Sequence, residues 1–238
     1  MKEIENKESQ QACNHTIGSH KSCISLVPIF NHLESEQMDE ILMTAQSVSY
    51  KKGEIIYQAD NQSTSLYIVN SGKVRIFRLS ESGKEQLVRI LNPGDFTGEY
   101  ALFSESTHES FAEAMVDTAV CMINRTDLQA FLLKYPSISL KILAEFSTRL
   151  EQSEKQSTWF ATEKVETRIA HYLIEGLAGG NHSEVLELPM SKKDLASYLG
   201  TTPETISRKL ADLEAQGLIK LKPHKKIEII DVEGLLLV

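Results

Sequence analysis

Along the 238 residues the spacing of apolar positions changes several times. Ile29, Phe30, Leu33, Met38, Ile41 and Leu42 recur at helical intervals, which predicts a helical entry over Pro28 to Ala45. The runs then shorten to Ile55–Tyr57, Leu66–Val69, Val74–Leu79, Glu85–Leu91 and Ala119–Asn124, punctuated by Asn70-Ser71-Gly72, Ser82-Gly83 and Asn92-Pro93-Gly94-Asp95. Short runs with regular turn signals predict an antiparallel barrel or roll, and Gly98-Glu99 opens a candidate helical turn. From Pro136 to Phe160 the period is helical again. Leu143, Phe146, Leu150, Ser153, Ser157 and Phe160 alternate by three and four, the seam of a coiled coil. A helix packed only on its own subunit is the alternative.

After Glu163, Val165, Ile169, Leu173 and Ile174 open a further amphipathic helix. The stretch 191–216 then carries a start, a turn and a restart. Ser191 is an N-cap with Asp194 three residues on, Leu195, Tyr198 and Leu199 give a short helix its apolar side, and Gly200 supplies the tight turn. Thr202-Pro203 restarts a helix, because proline at the first helical position loses no hydrogen bond. On this second helix Ile206, Leu210 and Leu213 form the apolar stripe, and Glu204, Ser207 and Arg208 share the opposite face. In a DNA-reading helix-turn-helix that end of the second helix meets base edges. A guanidinium can donate twice to guanine, a carboxylate accepts from cytosine, and a hydroxyl serves either. Gly217 stops the helix, and Leu218–Leu221 and Ile227–Ile230 flank Lys222-Pro223-His224-Lys225-Lys226, a two-stranded wing with a basic tip. The candidate DNA contacts are Thr202, Glu204, Thr205, Ser207, Arg208, Lys209, Lys225 and Lys226.

A net charge of −8 argues against nucleic acid only if charge is spread evenly. From Met190 to Lys226 eight basic residues face four acids, a local +4, which leaves the remainder at −12. One DNA-facing end on an acidic body has this signature. Apolar runs of membrane-spanning length and a signal peptide are not found, so no membrane role and a cytoplasmic location are expected. The three cysteines are Cys13, Cys23 and Cys121. Their odd number argues against a disulfide framework and leaves metal, redox or inert roles open. Cys13, His15, His20 and Cys23 could complete a zinc site, although their spacing matches no common zinc pattern. Cys121 is equally readable as a small buried strand residue.

The order of parts resembles one family. G-E-I-I-Y-Q-A-D, L-Y-I-V-N-S-G-K-V and N-P-G-D-F-T-G-E-Y-A-L-F, followed by the helix-turn-helix, are similar to the CRP/FNR bacterial transcription regulators from about residue 25 onward. In the cyclic-AMP-binding members a Gly-Glu pair holds the ribose and an Arg-Ser the cyclic phosphate. Here Gly98-Glu99 is present, but Glu109-Ser110 stands where the Arg-Ser would be, so cyclic AMP is not expected. Ser110-Phe111-Ala112-Glu113-Ala114 with Val120-Cys121 looks like the FNR branch, in which such a cysteine joins three others around a [4Fe–4S] cluster. The middle N-terminal cysteine has no counterpart. The Flp-type regulators of lactic acid bacteria also lack the full set, and a thiol–disulfide change between arm and roll is the reading that resemblance favours. In the FNR branch an aspartate at the place of Ser153 opposes pairing, and serine does not, which implies a dimer without a cluster. E-x-x-S-R at Glu204, Ser207 and Arg208 implies a TTGA-like half-site.

The expected fold class is α+β: a flexible Cys/His arm over 1–25, an antiparallel β-roll of cyclic-nucleotide-binding type over 26–134, a dimerisation helix over 135–162 and a winged helix-turn-helix over 163–238. The expected function is a homodimeric, redox-responsive regulator that reads a palindrome in duplex DNA and works with RNA polymerase. A [4Fe–4S] or zinc-dependent regulator of the same fold, and an adaptor using the helical hairpin for protein contacts, are the alternatives. A cupin-type enzyme is not expected, since the seven histidines include no His-x-His pair.

Overall fold

The computed structural model describes residues 25–103, 105–178 and 185–238. Packing divides them into two compact units, 25–78 with 88–147, and 79–87 with 148–238.

In the first unit the helix expected from Pro28 is confined to α1 (Ser35–Thr44). The Gln37 side chain accepts the Glu34 N–H and sets the start there. Val27, Ile29, Phe30 and Leu33, ahead of it, reach the core from turns. Among the described residues eight strands follow: β1 (Gln46–Tyr50), β2 (Ile55–Tyr57), β3 (Ser65–Ser71), β4 (Val74–Leu79), β5 (Glu85–Leu91), β6 (Phe96–Thr97), β7 (Phe111–Ala114) and β8 (Thr118–Asn124), with Leu79 of β4 and residues 85–87 of β5 falling in the second unit. They form two four-stranded sheets, β1-β8-β3-β6 and β2-β7-β4-β5. A 3-10 turn (Glu99–Leu102) follows Gly98, whose φ of 83° and closeness to the Ser65 carbonyl leave no place for a side chain. Two helices complete the unit's elements: α2 (Arg125–Lys134), capped by Asn124, and α3 (Pro136–Thr162), which begins here and ends in the second unit.

Strand β3 is buried from Ser65 through Val69, and the reason is a core on each side of it. Leu66, Ile68, Cys121 and Ile123 pack against Ile41, Leu128, Phe131, Ile138 and Ile142 of the helices. The alternate positions Tyr67, Val69 and Val120 pack against Tyr57, Val74, Ile76, Leu91 and Ala112 of the other sheet.

The second unit contains α4 (Val165–Ala178), β9 (Val185–Glu187), α5 (Lys192–Tyr198), α6 (Pro203–Ala215), β10 (Ile219–Lys222), β11 (Lys226–Ile229) and α7 (Val232–Leu236). Its core is built from Ile169, Leu173, Leu195, Leu199, Ile206, Leu210, Leu213, Ile219, Ile227 and Ile229. The wing has a third strand, since β9 pairs with β11 and places Leu186 opposite Ile227. The α+β architecture of roll, long helix and winged helix-turn-helix is thus the one the hydrophobic pattern predicts. No helix among the described residues is long and apolar enough to cross a membrane.

Candidate nucleic-acid interface

The helix-turn-helix is set by local chemistry. Ser191 Oγ accepts the Asp194 N–H at 3.1 Å, and Asp194 Oδ2 accepts the Ser191 backbone N–H at 3.3 Å, closing the capping box of α5; the same carboxylate also accepts from the Ser191 hydroxyl at 2.6 Å. Gly200 turns the chain at φ 68°. Thr202 Oγ1 then accepts the Thr205 N–H at 3.2 Å, with Pro203 at the first position of α6. Ile206, Leu210 and Leu213 are fully buried, each contributing about 1.5–3 kcal/mol by leaving water.

That stripe turns Glu204, Ser207 and Arg208 to solvent. Arg208 has no hydrogen-bond or ion-pair partner among the described residues, so its guanidinium is available to a ligand. Thr202 is exposed and Thr205 half-buried, their hydroxyls 3.1 Å apart. Lys192, at the start of α5, reaches the same face with Nζ 3.4 Å from Ser207 Oγ. Lys209 departs from the expected set. Three positions after Ile206, it flanks the buried stripe, and its ammonium donates to Glu166 of α4 at 2.8 Å. That carboxylate holds the Lys209 pKa above the ordinary lysine value.

The wing tip is a hairpin turn over Pro223–Lys226, closed by the Lys226 N–H on the Pro223 carbonyl. His224 and Lys225 adopt φ 61° and 59°, the signs of a type I′ turn, which non-glycine residues adopt rarely. Lys222 is paired with Glu228 at 2.9 Å, while Lys225 and Lys226 are exposed without an ion-pair partner among the described residues.

Along α3, Leu143 and Leu150 are about 60 % exposed and Leu140 70 %, an apolar row with Ser153 and Ser157 continuing it as exposed polar positions. Two of the seam residues instead pack on their own chain. Phe146 lies against the helix-side core and meets Phe103 edge-on at 5.8 Å, and Phe160 sits against Gly200 and under the Arg168 guanidinium.

Cys13, His15, His20 and Cys23 lie outside the described residues. Cys121 is fully buried on β8, paired across the sheet with Ile68. The roll also holds a cavity of about 100 Å³ that includes Gly98, Glu99, Glu109 and Ser110. Two guanidiniums line it, and each already holds a carboxylate: Arg89 donates to Glu99 at 2.8 Å, and Arg78 to Glu109 at 2.5 Å. His108 stacks on Tyr57 at 3.8 Å between ring centroids, and Tyr57 bonds Thr97 at 2.7 Å. Burial pushes the His108 pKa below the ordinary histidine value, against a smaller upward pull from Glu99. Arg89 and His108 carry no local signal, since their partners Glu99 and Tyr57 lie on other elements.

Residues 47–135 match the cyclic nucleotide-binding domain family, and 167–237 the Crp-like helix-turn-helix domain. The chain is 34 % identical to the probable transcriptional regulator flp of Lacticaseibacillus casei, over 90 % of this chain and 96 % of that protein. It is 30 % identical to the cyclic AMP receptor protein of Thermus thermophilus, over 82 % of this chain and 89 % of that one. Among solved structures, FixK2 from Bradyrhizobium japonicum superposes with a TM-score of 0.71 at 30 % identity, over 80 % of this chain and 95 % of that one. With both halves matched in order, and a reading helix of this construction, the chain belongs to the CRP/FNR family of DNA-binding transcription regulators.

Proposed function

We propose that this regulator acts in the cytoplasm as a homodimer that binds a palindrome of TTGA-like half-sites and works with RNA polymerase. The carrying observation is the solvent-facing set Glu204, Ser207 and Arg208 at the leading end of α6, backed by a fully buried stripe. The exposed row Leu140, Leu143 and Leu150 supplies an apolar face for a second copy. Two reading helices related by a two-fold axis meet half-sites about 34–36 Å apart. A gel shift comparing the palindrome with a scrambled duplex of equal length, at two salt concentrations, tests this. Binding should favour the palindrome at both salts. Equal binding to both duplexes, vanishing at the higher salt, would leave only non-specific attraction.

Cyclic AMP is not the effector in this reading. A cavity of about 100 Å³ is below the roughly 300 Å³ at which ligand pockets begin, and its two arginines are each paired with a carboxylate. A [4Fe–4S] cluster does not fit either. Three cysteines are one short of the usual four ligands, and Cys121 lies inside the core without access to solvent. Because Cys121 is buried, the disulfide in this reading forms not between arm and roll, as the resemblance implied, but between the arm thiols Cys13 and Cys23. Their joining releases two protons and gives two electrons to an oxidant such as a peroxide. Burial makes Cys121 a packing residue with a poorly accessible thiol. Thiol counts before and after oxidant, with an absorbance spectrum and metal analysis, should show two thiols lost, no visible band and no zinc. Cys121 should react only after denaturation. Rapid alkylation of Cys121 in the folded protein would restore it as a sensor.

A further inference from the structure

The first turn of α4 holds three parts of the second unit with three successive residues. Glu166 takes the Lys209 ammonium of α6, Thr167 donates to the Val238 carbonyl at 3.0 Å, and Arg168 Nη1 donates to the Leu199 carbonyl at 2.7 Å. Leu199 is the C-terminal cap of α5, where unpaired carbonyls gather partial negative charge. A guanidinium there satisfies the acceptor and opposes that charge. The last turns of α3 reach the same spot. Gln156 Nε2 donates to the Tyr198 carbonyl at 3.2 Å, and the Phe160 ring lies 5.3 Å below the Arg168 guanidinium.

Gly200 closes this joint. A methyl group at Gly200 would lie 3.3 Å from both Arg168 Nη1 and a Phe160 ring carbon, and its φ of 68° already disfavours a side chain. The turn between α5 and α6 is therefore pressed onto the end of the long helix, with Arg168 between them.

We infer that Arg168 is a positioning residue that fixes the angle of the reading helix α6 against α3. Gln156 supports it from the preceding turn of α3. This rests on the proposed reading of a dimer on a palindrome. A single reading head can settle on one half-site at any tilt, because the DNA fragment moves with it. Two heads joined through their long helices cannot, so the angle matters only when both half-sites are engaged at a fixed spacing.

The experiment compares wild type, Arg168→Ala, Arg168→Lys and Gln156→Ala on the TTGA-type palindrome, on a duplex with one half-site scrambled, and on palindromes lengthened or shortened by one base pair. Wild type should prefer the palindrome to the single half-site and discriminate against both altered spacings. Arg168→Ala should lose about tenfold on the palindrome, within the range expected when two sites are uncoupled, less than about twofold on the single half-site, and its spacing discrimination should flatten. Arg168→Lys, which keeps a cation at the Leu199 carbonyl, should recover most of both. Should Arg168→Ala fail to fold, Gln156→Ala carries the test, with the same flattening and a palindrome loss of about fivefold, the low end of that range. Equal losses on palindrome and half-site, or unchanged spacing discrimination in the folded variant, would overturn the inference. A wild-type protein indifferent to the palindrome would instead sink the dimer-on-palindrome reading itself.

Discussion

The carboxylate-paired arginines of the roll and the arginine on the reading face of the winged unit serve opposite ends. In the roll, Arg75, Arg78 and Arg89 each face a carboxylate, at 2.7, 2.5 and 2.8 Å, from Glu113, Glu109 and Glu99. In the winged unit Arg208 and the tip lysines Lys225 and Lys226 are left without an acidic partner among the described residues. The same chemical group is a brace in one place and a probe in the other. An ion pair closed within the fold contributes to shape and has little charge to offer a ligand. An ammonium or guanidinium held out on a rigid element attracts phosphate and can read bases.

The comparison breaks most visibly at Arg89. Its side chain is 28 % exposed and that of Glu99 14 %, so removal of the guanidinium strands a largely buried carboxylate. Arg89→Ala should lower unfolding free energy by about 2 kcal/mol, less than a fully buried pair because some solvent reaches it. The double change Arg89→Met with Glu99→Leu should recover most of that loss, since neither charge is left alone. Denaturant midpoints measure both, and DNA preference of the folded fraction should be unchanged. A ligand-reading role for Arg89 would give the reverse pattern.

Arg208→Ala should do the opposite. Its denaturation midpoint should match wild type, because no interaction within the fold is lost. Discrimination between the cognate palindrome and a single-base variant should fall by about 1.4 kcal/mol, roughly tenfold, as read by competition gel shift. Equal loss of specific and random DNA would show that Arg208 only grips phosphate.

The reading unit was legible because its signals are local. Ser191, Asp194, Gly200, Thr202 and Pro203 specify caps and a turn within a few residues, and Ile206, Leu210 and Leu213 are periodic on one helix. The roll was legible only as a class. Strands β1 and β7 went unseen: QSVSY and FAEA are short and mostly polar or small, and they become strands because β8, β2 and β4 pair with them. Cavity residues were half-seen. Glu99 was identifiable as the acid of the Gly-Glu pair, but its donor Arg89 lies ten residues earlier on another element. Lys209 sat one position from the reading face, and only tertiary contact with Glu166 shows it turned to α4. Phe146 and Phe160 kept the three-four spacing of the seam while packing on neighbours no helical repeat can reveal.

A smaller effect separates grip from reading within the winged unit. Lys225→Ala and Lys226→Ala should weaken cognate and random duplexes by the same factor. Each should reduce the slope of log affinity against log salt by roughly 1. An altered base preference in either would move the wing tip from phosphate to base contact. The strained backbone at Lys225 makes Lys225→Gly the sharper version. It removes the charge and relieves a positive φ of 59°, so affinity should fall while stability holds or rises slightly.

The smallest expected effect belongs to the braced unit and depends on pH. His108 is 4 % exposed, stacked on Tyr57, with Tyr67 also at its edge; its Nε2 has no hydrogen-bond partner among the described residues. Charge reaches it from Glu99, which favours the imidazolium and is itself paired with Arg89. Burial dominates and lowers the folded pKa. The unfolded chain therefore binds the proton more readily. The contribution of the neutral ring to stability is complete above the ordinary histidine value near 6.5, and is lost as pH falls below it toward the depressed folded value. His32 shifts in the same direction from burial and the nearby Lys141, so part of the slope should remain when His108 is replaced. His108→Phe keeps a ring against Tyr57 and removes the proton site. Its denaturation midpoint should vary less between pH 7.5 and pH 5.5 than that of wild type. A slope unchanged by the substitution would place the pH response elsewhere in the roll, and a steeper one would mean that His108 is charged in the folded state and stabilised by Glu99.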